Sequence, residues 1–418
     1  MKEKIKIGYI GLGRRGTGIL RQNLTDMQDI EISRICDLSV KRMEEACEII
    51  KEKMGTTPMM STDYHDILRD PEIDAVFIMT NWYGRPEIAM ESMRAGKYTA
   101  FEVGCAENLD ICYDLVKTYE ETKTPVMMLE NCCYGRREMM MLNIVKQGLF
   151  GEIVHCTGGY HHYLPDCDLF KNWGEEEFEH YRIGHYRTEN KHNYPTHELG
   201  PISKVLCINR GNRYVSLASF GSKSVALKDY AARRFGEDSV EAKTEYKQSD
   251  VVTTVLNTSN GQTVMITLDT TLPRAYYSRN FSIRGTHGMS SEECKSVYFV
   301  GMEEPVRDNE EEMFKKYDHP LHAEYVAKGV KEGHGGMDWL VCRAFIESVK
   351  AGTNTPIDVY DAATWLAIGP LSEKSLQNGS AVVEFPDFTD GKWECREPVV
   401  KCKYCLDEIV VDESISVV

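Results

Sequence analysis

Two groups of residues in this chain have the types and spacing to do chemistry. The first is Gly11-Leu12-Gly13-Arg14-Arg15-Gly16, a G-x-G-x-x-G run directly after an apolar strand and directly before a helix. Glycines there permit a tight turn and let backbone N–H groups approach a pyrophosphate at a helix N-terminus. Asp37 ends the second strand, 21 residues after Gly16, where a carboxylate would hydrogen-bond the ribose hydroxyls of a dinucleotide. That acid favours NAD over NADP, whose additional phosphate it would repel, although Lys41 and Arg42 follow closely. Further cofactor contacts are expected from loops 80–85, 102–105 and 130–132, at the carboxyl ends of later strands.

The second group lies in glycine- and proline-marked loops further along. It comprises Tyr160-His161-His162-Tyr163, Arg187, Tyr194-Pro195-Thr196-His197-Glu198, the run Leu272 to Arg279 with Tyr277, and His334-Gly335-Gly336-Met337-Asp338. Tyr and His are the groups that move a hydroxyl proton while a hydride leaves the carbon. The same aromatics would equally line a sugar platform without doing chemistry.

These side chains need two different scaffolds. Residues 5–129 alternate short apolar strands (Ile5 to Ile10, Ile30 to Cys36, Ala75 to Met79, Tyr98 to Phe101, Val126 to Leu129) with amphipathic helices, which predicts a doubly wound parallel sheet. After about residue 131 strand-like runs dominate: Ile153 to Tyr160, Tyr214 to Phe220, Val251 to Leu256, Val264 to Asp269 and Phe281 to Gly285. These suit a mainly antiparallel open sheet, followed by helices over 335–351 and 361–377. The expected class is α/β: a Rossmann domain over 1–130, an α+β substrate domain over 131–385, and an irregular tail over 386–418. An apolar outer face on the second sheet would suit a homo-oligomer.

With 65 acidic against 49 basic residues, the formal charge of −16 argues against nucleic acid or an anionic membrane as partner. No stretch approaches the roughly 20 apolar residues that span a bilayer, and no targeting signal is apparent, so a cytoplasmic protein is expected. The 14 cysteines are scattered and read as reduced thiols. Cys402 and Cys405, with Cys395 nearby, lack a fourth ligand at zinc spacing, and no metal site is assigned.

The chain resembles the glucose–fructose oxidoreductase (Gfo/Idh/MocA) superfamily and, within it, NAD-dependent glycoside hydrolase family 109. Carrying segments include Gly8 to Gly18, Met128-Leu129-Glu130-Asn131, Gly148 to His155, Tyr194 to Pro201, Ile208 to Gly211, His334 to Asp338 and Asp358 to Ala363. The resemblance implies cofactor contacts at Arg14, Arg15, Asp37, Trp82, Arg85, Glu102 and Asn131. It implies substrate contacts or chemistry at Tyr160, Arg187, Tyr194, His197 and Tyr277. It also implies NAD as cofactor, a small carbohydrate or glycoside as substrate, and a route with no net redox change. In that route C3 is oxidised, the C1 group is eliminated after C2 deprotonation, water adds, and C3 is reduced again. This needs no carboxylate pair of the ordinary glycosidase kind. Departures from the family pattern are a shorter loop after Tyr160, Glu198 where glycine is usual, and Arg85 where histidine is usual. Glu102-Val103-Gly104 replaces the Glu-Lys-Pro of sugar dehydrogenases. A dehydrogenase releasing a keto product and a non-catalytic NAD sensor are the competing readings.

Overall fold

The computed structural model describes residues 4–170, 180–331, 334–396 and 402–409. Strands β1 (Ile5–Ile10), β2 (Ile30–Cys36), β3 (Met59–Ser61), β4 (Ala75–Ile78), β5 (Tyr98–Phe101) and β6 (Val126–Met128) form one parallel sheet in the order β3-β2-β1-β4-β5-β6. Every residue of β4 and β6 is buried, as a parallel sheet covered by helices on both faces requires. The crossover helices start where side chains satisfy their first N–H groups. Ser39 caps Val40–Met54 and Asn108 caps Leu109–Thr122. The sequence pattern missed β3, a three-residue edge strand whose Met59 and Met60 are exposed, because it carries no buried face to read.

The second sheet has eight strands: β7 (Ile153–His161), β8 (Tyr214–Gly221), β9 (Val251–Thr258), β10 (Thr263–Asp269), β11 (Ser282–Gly285), β12 (Gly288–Ser291), β13 (Ser296–Phe299) and β14 (Val383–Glu384). Their order is β13-β12-β11-β7-β10-β9-β8-β14. All neighbours are antiparallel except β7 and β10. The tight turn from β9 fixes the direction of β10, and β10 then lies beside β7 running the same way. Along β9 and β10, Val252, Thr254, Leu256, Val264, Ile266 and Leu268 are buried and alternate with half-covered residues. A fully buried Leu or Ile contributes roughly 1.5–3 kcal/mol, so a one-residue slip would forfeit several such contributions together. Helices Thr196–Val205 and Ile368–Gln377 pack on this inner face, against β7 and β8.

Late helices return to the first sheet. Met337–Ala351 packs on it, with the Phe345 ring edge-on to Phe77 at 5.1 Å. Among its described residues, the tail is irregular apart from one short turn of helix, Lys392–Glu394, and is anchored. Tyr404 and Leu406 are buried, and Asp407 meets Lys204 at 3.4 Å and Arg210 at 2.7 Å. Tail residues 397–401 and 410–418 lie outside the described set.

Candidate active site

The glycine loop joins β1 to helix Arg14–Gln22. Gly11 has φ +95°, and a Cβ there would meet the Met79 carbonyl at 2.8 Å, so only glycine fits. A Cβ on Gly16 would meet the Gly11 oxygen at 2.2 Å, which explains the last glycine of the motif. Gly13 is different: a Cβ there meets nothing within 4 Å. Gly13 is also the N-cap of a helix that no side chain caps. Open space over uncommitted N–H groups is what a pyrophosphate needs. Asp37 sits at the end of β2 as expected and braces this loop. Its carboxylate accepts the Leu12 N–H at 2.6 Å and the Ser39 N–H at 2.9 Å, and Arg42 stands 3.7 Å away.

The loops after β4, β5 and β6 meet at the same edge. Arg85 is buried and gives its guanidinium to the carbonyls of Thr80, Glu102 and Val103, so it shapes those loops. Burial pulls it below the usual arginine value. Arg15 donates to Glu102 at 2.8 Å and, with two parallel bonds of 2.8 and 2.7 Å, to Asp338. Asp338 also accepts from Asn131 at 2.7 Å and meets the His334 ring at 2.7 Å. Burial works to raise the Asp338 carboxyl, but the bonds from His334 and Arg15 hold it well below the usual range. Arg14 is exposed and reaches across to Asp168 at 3.2 Å and the Cys167 carbonyl.

Facing these loops is the Tyr/His group. Helix Thr196–Val205 presents His197 at its first turn, where Nδ1 lies 2.8 Å from one oxygen of Glu130 and 3.0 Å from the other. Glu130 follows β6 and is fully buried. Burial alone would raise its carboxyl; the facing His197 and the Cys132 N–H outweigh it and hold the group below its ordinary value. On the other side of the imidazole, Nε2 stands 3.4 Å from the Tyr194 hydroxyl. The Tyr160 ring lies 4.4 Å from that of Tyr194 and 5.6 Å from His197. The Tyr160 hydroxyl meets His162 Nδ1 at 3.0 Å. Burial pushes the Tyr160 phenol up to about 12, with Arg182 pulling against it. Tyr277, 45 % exposed, stands at the rim, its ring 6.2 Å from Tyr160. Trp82 links the two halves: its ring is 5.8 Å from Tyr194 and stacks on His185 at 5.4 Å.

Tyr160, Tyr194, His197 and Tyr277 thus come together, beside Trp82. Arg187 is half-buried on helix Tyr181–Thr188. The guanidinium placed over the Trp82 and Tyr194 rings, at 5.1 and 4.8 Å, belongs to Arg182 on that helix. Arg182 carried no sequence motif; only the helix phase separates it from Arg187. Glu130 was expected only within the cofactor-contact loop 130–132; its bond to His197 was not anticipated, although an acid just past the last parallel strand was a usable signal. Glu198 does not face this cluster. It is fully buried against His192.

The chain is a two-lobed NAD-binding enzyme, with a glycine-rich dinucleotide cradle on one lobe and a Tyr/His cluster facing it from the other. Residues 5–130 match the NAD-binding Rossmann fold of an oxidoreductase family, and residues 134–395 match the C-terminal domain of glycosyl hydrolase 109. The chain is 37 % identical to an alpha-N-acetylgalactosaminidase of Tannerella forsythia, over 94 % of this chain and 88 % of that one. It is 36 % identical to a glycosyl hydrolase family 109 protein of Stenotrophomonas maltophilia, over 95 % and 91 %. The chain belongs to glycosyl hydrolase family 109. A levoglucosan dehydrogenase solved with NADH and levoglucosan shares the fold, with a TM-score of 0.69 at 17 % identity over 92 % of this chain and all of that one.

Proposed function

We propose that the protein is an NAD-dependent glycosidase that cleaves its substrate through transient oxidation at sugar C3, elimination of the C1 group, addition of water and re-reduction, with no net redox change. NAD, when bound, supplies reversible hydride exchange with C3. The residues that would hold it are the Gly11–Gly16 loop, Asp37, Arg14, Arg15, Trp82, Glu102 and Asn131, with Arg85 shaping the loops around them. The observation that carries the reading is the Glu130–His197 bond at the carboxyl edge of the NAD-binding sheet. A buried carboxylate fixes one imidazole nitrogen and stabilises the charge that appears when the other takes a proton. In this reading His197 and Tyr194 move the protons at C3 and C2, while Tyr160, Tyr277 and Arg182 hold the sugar or assist the leaving group. Arg187 is retained as a second candidate for substrate contact. Elimination needs no carboxylate pair across the scissile bond.

No helix among the described residues is long and apolar enough to cross a membrane. A cytoplasmic homo-oligomer belongs to the proposal. Val215, Ala218, Phe220, Val255 and Met265 on the outward side of the second sheet are half-covered or exposed, and sedimentation of the purified chain tests this part.

The test of function is a panel of aryl α- and β-glycosides, with N-acetylgalactosaminides included because a relative bears that activity in its name. Expected are aglycone release without NADH accumulation and solvent deuterium at C2 of the released sugar. Stoichiometric NADH with a keto product would replace this reading with a dehydrogenase, and cleavage without deuterium at C2 would remove the elimination step.

A further inference from the structure

We propose that Glu130, Cys132 and His197 together form a site for one borderline-soft divalent cation of the Zn²⁺ type, and that its occupancy halts turnover. A carboxylate oxygen, a thiol sulfur and an imidazole nitrogen of these residues all lie within 4.8 Å of one another. Oxygen, sulfur and nitrogen donors at such separations are the set Zn²⁺ accepts, with an open position left for water or substrate. The carboxylate and the sulfur come from one short turn. The Cys132 N–H donates to Glu130 Oε1 at 2.9 Å, which holds the carboxylate against this turn, and Cys132 Sγ lies 3.6 Å from Asn131 Oδ1. Helix Thr196–Val205 brings the imidazole to them. Glu130 and Cys132 are buried, and His197 keeps 14 % of its side chain exposed, which leaves an entry route.

Cys132 has no part in the proton transfers above, so its placement against the one pair they depend on calls for an account. Binding is a ligand exchange without redox. The Cys132 thiol loses its proton to solvent, the imidazole proton moves from Nδ1 to Nε2, and the cation takes Sγ, Nδ1 and a Glu130 oxygen. Glu130 and His197 can then no longer act as a proton acceptor and its brace. The inhibitory half rests on the proposed function; the binding half does not.

The experiment uses the full chain with NAD bound. Co²⁺ is added first, and its thiolate charge-transfer absorption is read. Zn²⁺ is then added while glycoside turnover is followed, with EDTA added last. Expected are a one-to-one cobalt band that Zn²⁺ displaces, loss of turnover with Zn²⁺, and recovery with EDTA. Cys132→Ser and Cys132→Val are expected to lose the band and, each measured against its own metal-free turnover, to resist Zn²⁺ by at least the roughly 10–100-fold that loss of an outer metal-site partner costs. Cys402→Ser is expected to keep the band. Absence of the band in the parent protein, or its survival in both Cys132 variants, overturns the site. A band without any glycoside turnover upholds the site and overturns the inhibitory half together with the functional reading.

Discussion

Glu198 and His192 face each other at 2.7 Å with both side chains fully buried, although Glu198 is the immediate neighbour of His197. Burial raises the Glu198 carboxyl well above its usual range and pulls the His192 imidazole down to about 3. Burial thus disfavours charge on both partners, which share one hydrogen bond. Glu198 fills space beneath β7, packed against His192. A Cβ on Gly158 would meet the Glu198 Cβ at 2.7 Å. Glu198→Gln keeps a donor for His192 and is expected to leave turnover within about twofold of the parent. Glu198→Ala leaves the ring unpaired beside a cavity and is expected to cost about 2–4 kcal/mol of stability. Thermal denaturation of both variants checks this; equal losses would mean that the pair is not what holds the site.

In the proposed mechanism Glu130 acts through His197, which it meets at 2.8 Å, and the two should separate by how much they cost. His197→Ala is expected to lower kcat by about 10²–10⁴-fold, the usual worth of a positioned acid–base group. Glu130→Gln keeps the hydrogen bond but removes the charge, and is expected to lower kcat by about 10–100-fold with KM nearly unchanged. NADH binding, followed by fluorescence, should be unaltered in both. A rise in KM alone would show that the two residues bind substrate and nothing more.

Asp338 gathers Arg15, Asn131 and His334 on one carboxylate, and two of those three are read as cofactor contacts. An Asn at 338 cannot accept two parallel bonds from Arg15 and a third from Asn131. Asp338→Asn is therefore expected to raise the dissociation constant for NAD by about tenfold, or 1.4 kcal/mol, while substrate KM at saturating NAD changes little. Calorimetric titration with NAD decides it, and an unchanged affinity would reduce the clamp to a structural role.

Much of this was legible before any coordinates. Strands β1 and β2 have the bounds read from their apolar runs, because buried parallel strands leave a continuous signal. The cradle was legible because Gly11 and Gly16 are required there for steric reasons that any sequence must obey. Other features depend on relations that a linear pattern does not carry. Glu130 and His197 are 67 residues apart, and nothing in either segment states that they touch. Arg182 and Arg187 share one helix, and only its rotation places Arg182 over the aromatic rings. Strands β12 and β13 are four residues each, too short for alternation to stand out. The tail was read as irregular, but the buried pairing of Asp407 with Lys204 and Arg210 was invisible without the partners.

Glu189 gives a pH-dependent test of the wall behind Trp82. Its carboxylate accepts from the Tyr83 hydroxyl and pairs with the buried Lys191 at 3.1 Å and with His185 at 3.5 Å. His185 in turn stacks on Trp82. Burial would raise this carboxyl, but His185, Tyr83 and Lys191 outweigh it and bring it down from the ordinary 4.5 to about 2. Because the folded value is the lower one, the stabilisation is fully present above the unfolded value and is lost as pH falls through the folded one. Glu189→Gln lacks this term. The difference in Tm between parent and variant is expected to hold steady from neutral pH down to about 5. It should then shrink as pH is lowered from about 4.5 toward 2. A difference that stays constant across that acid range would show that Glu189 is not held ionised by its three partners, and that the wall depends on packing alone.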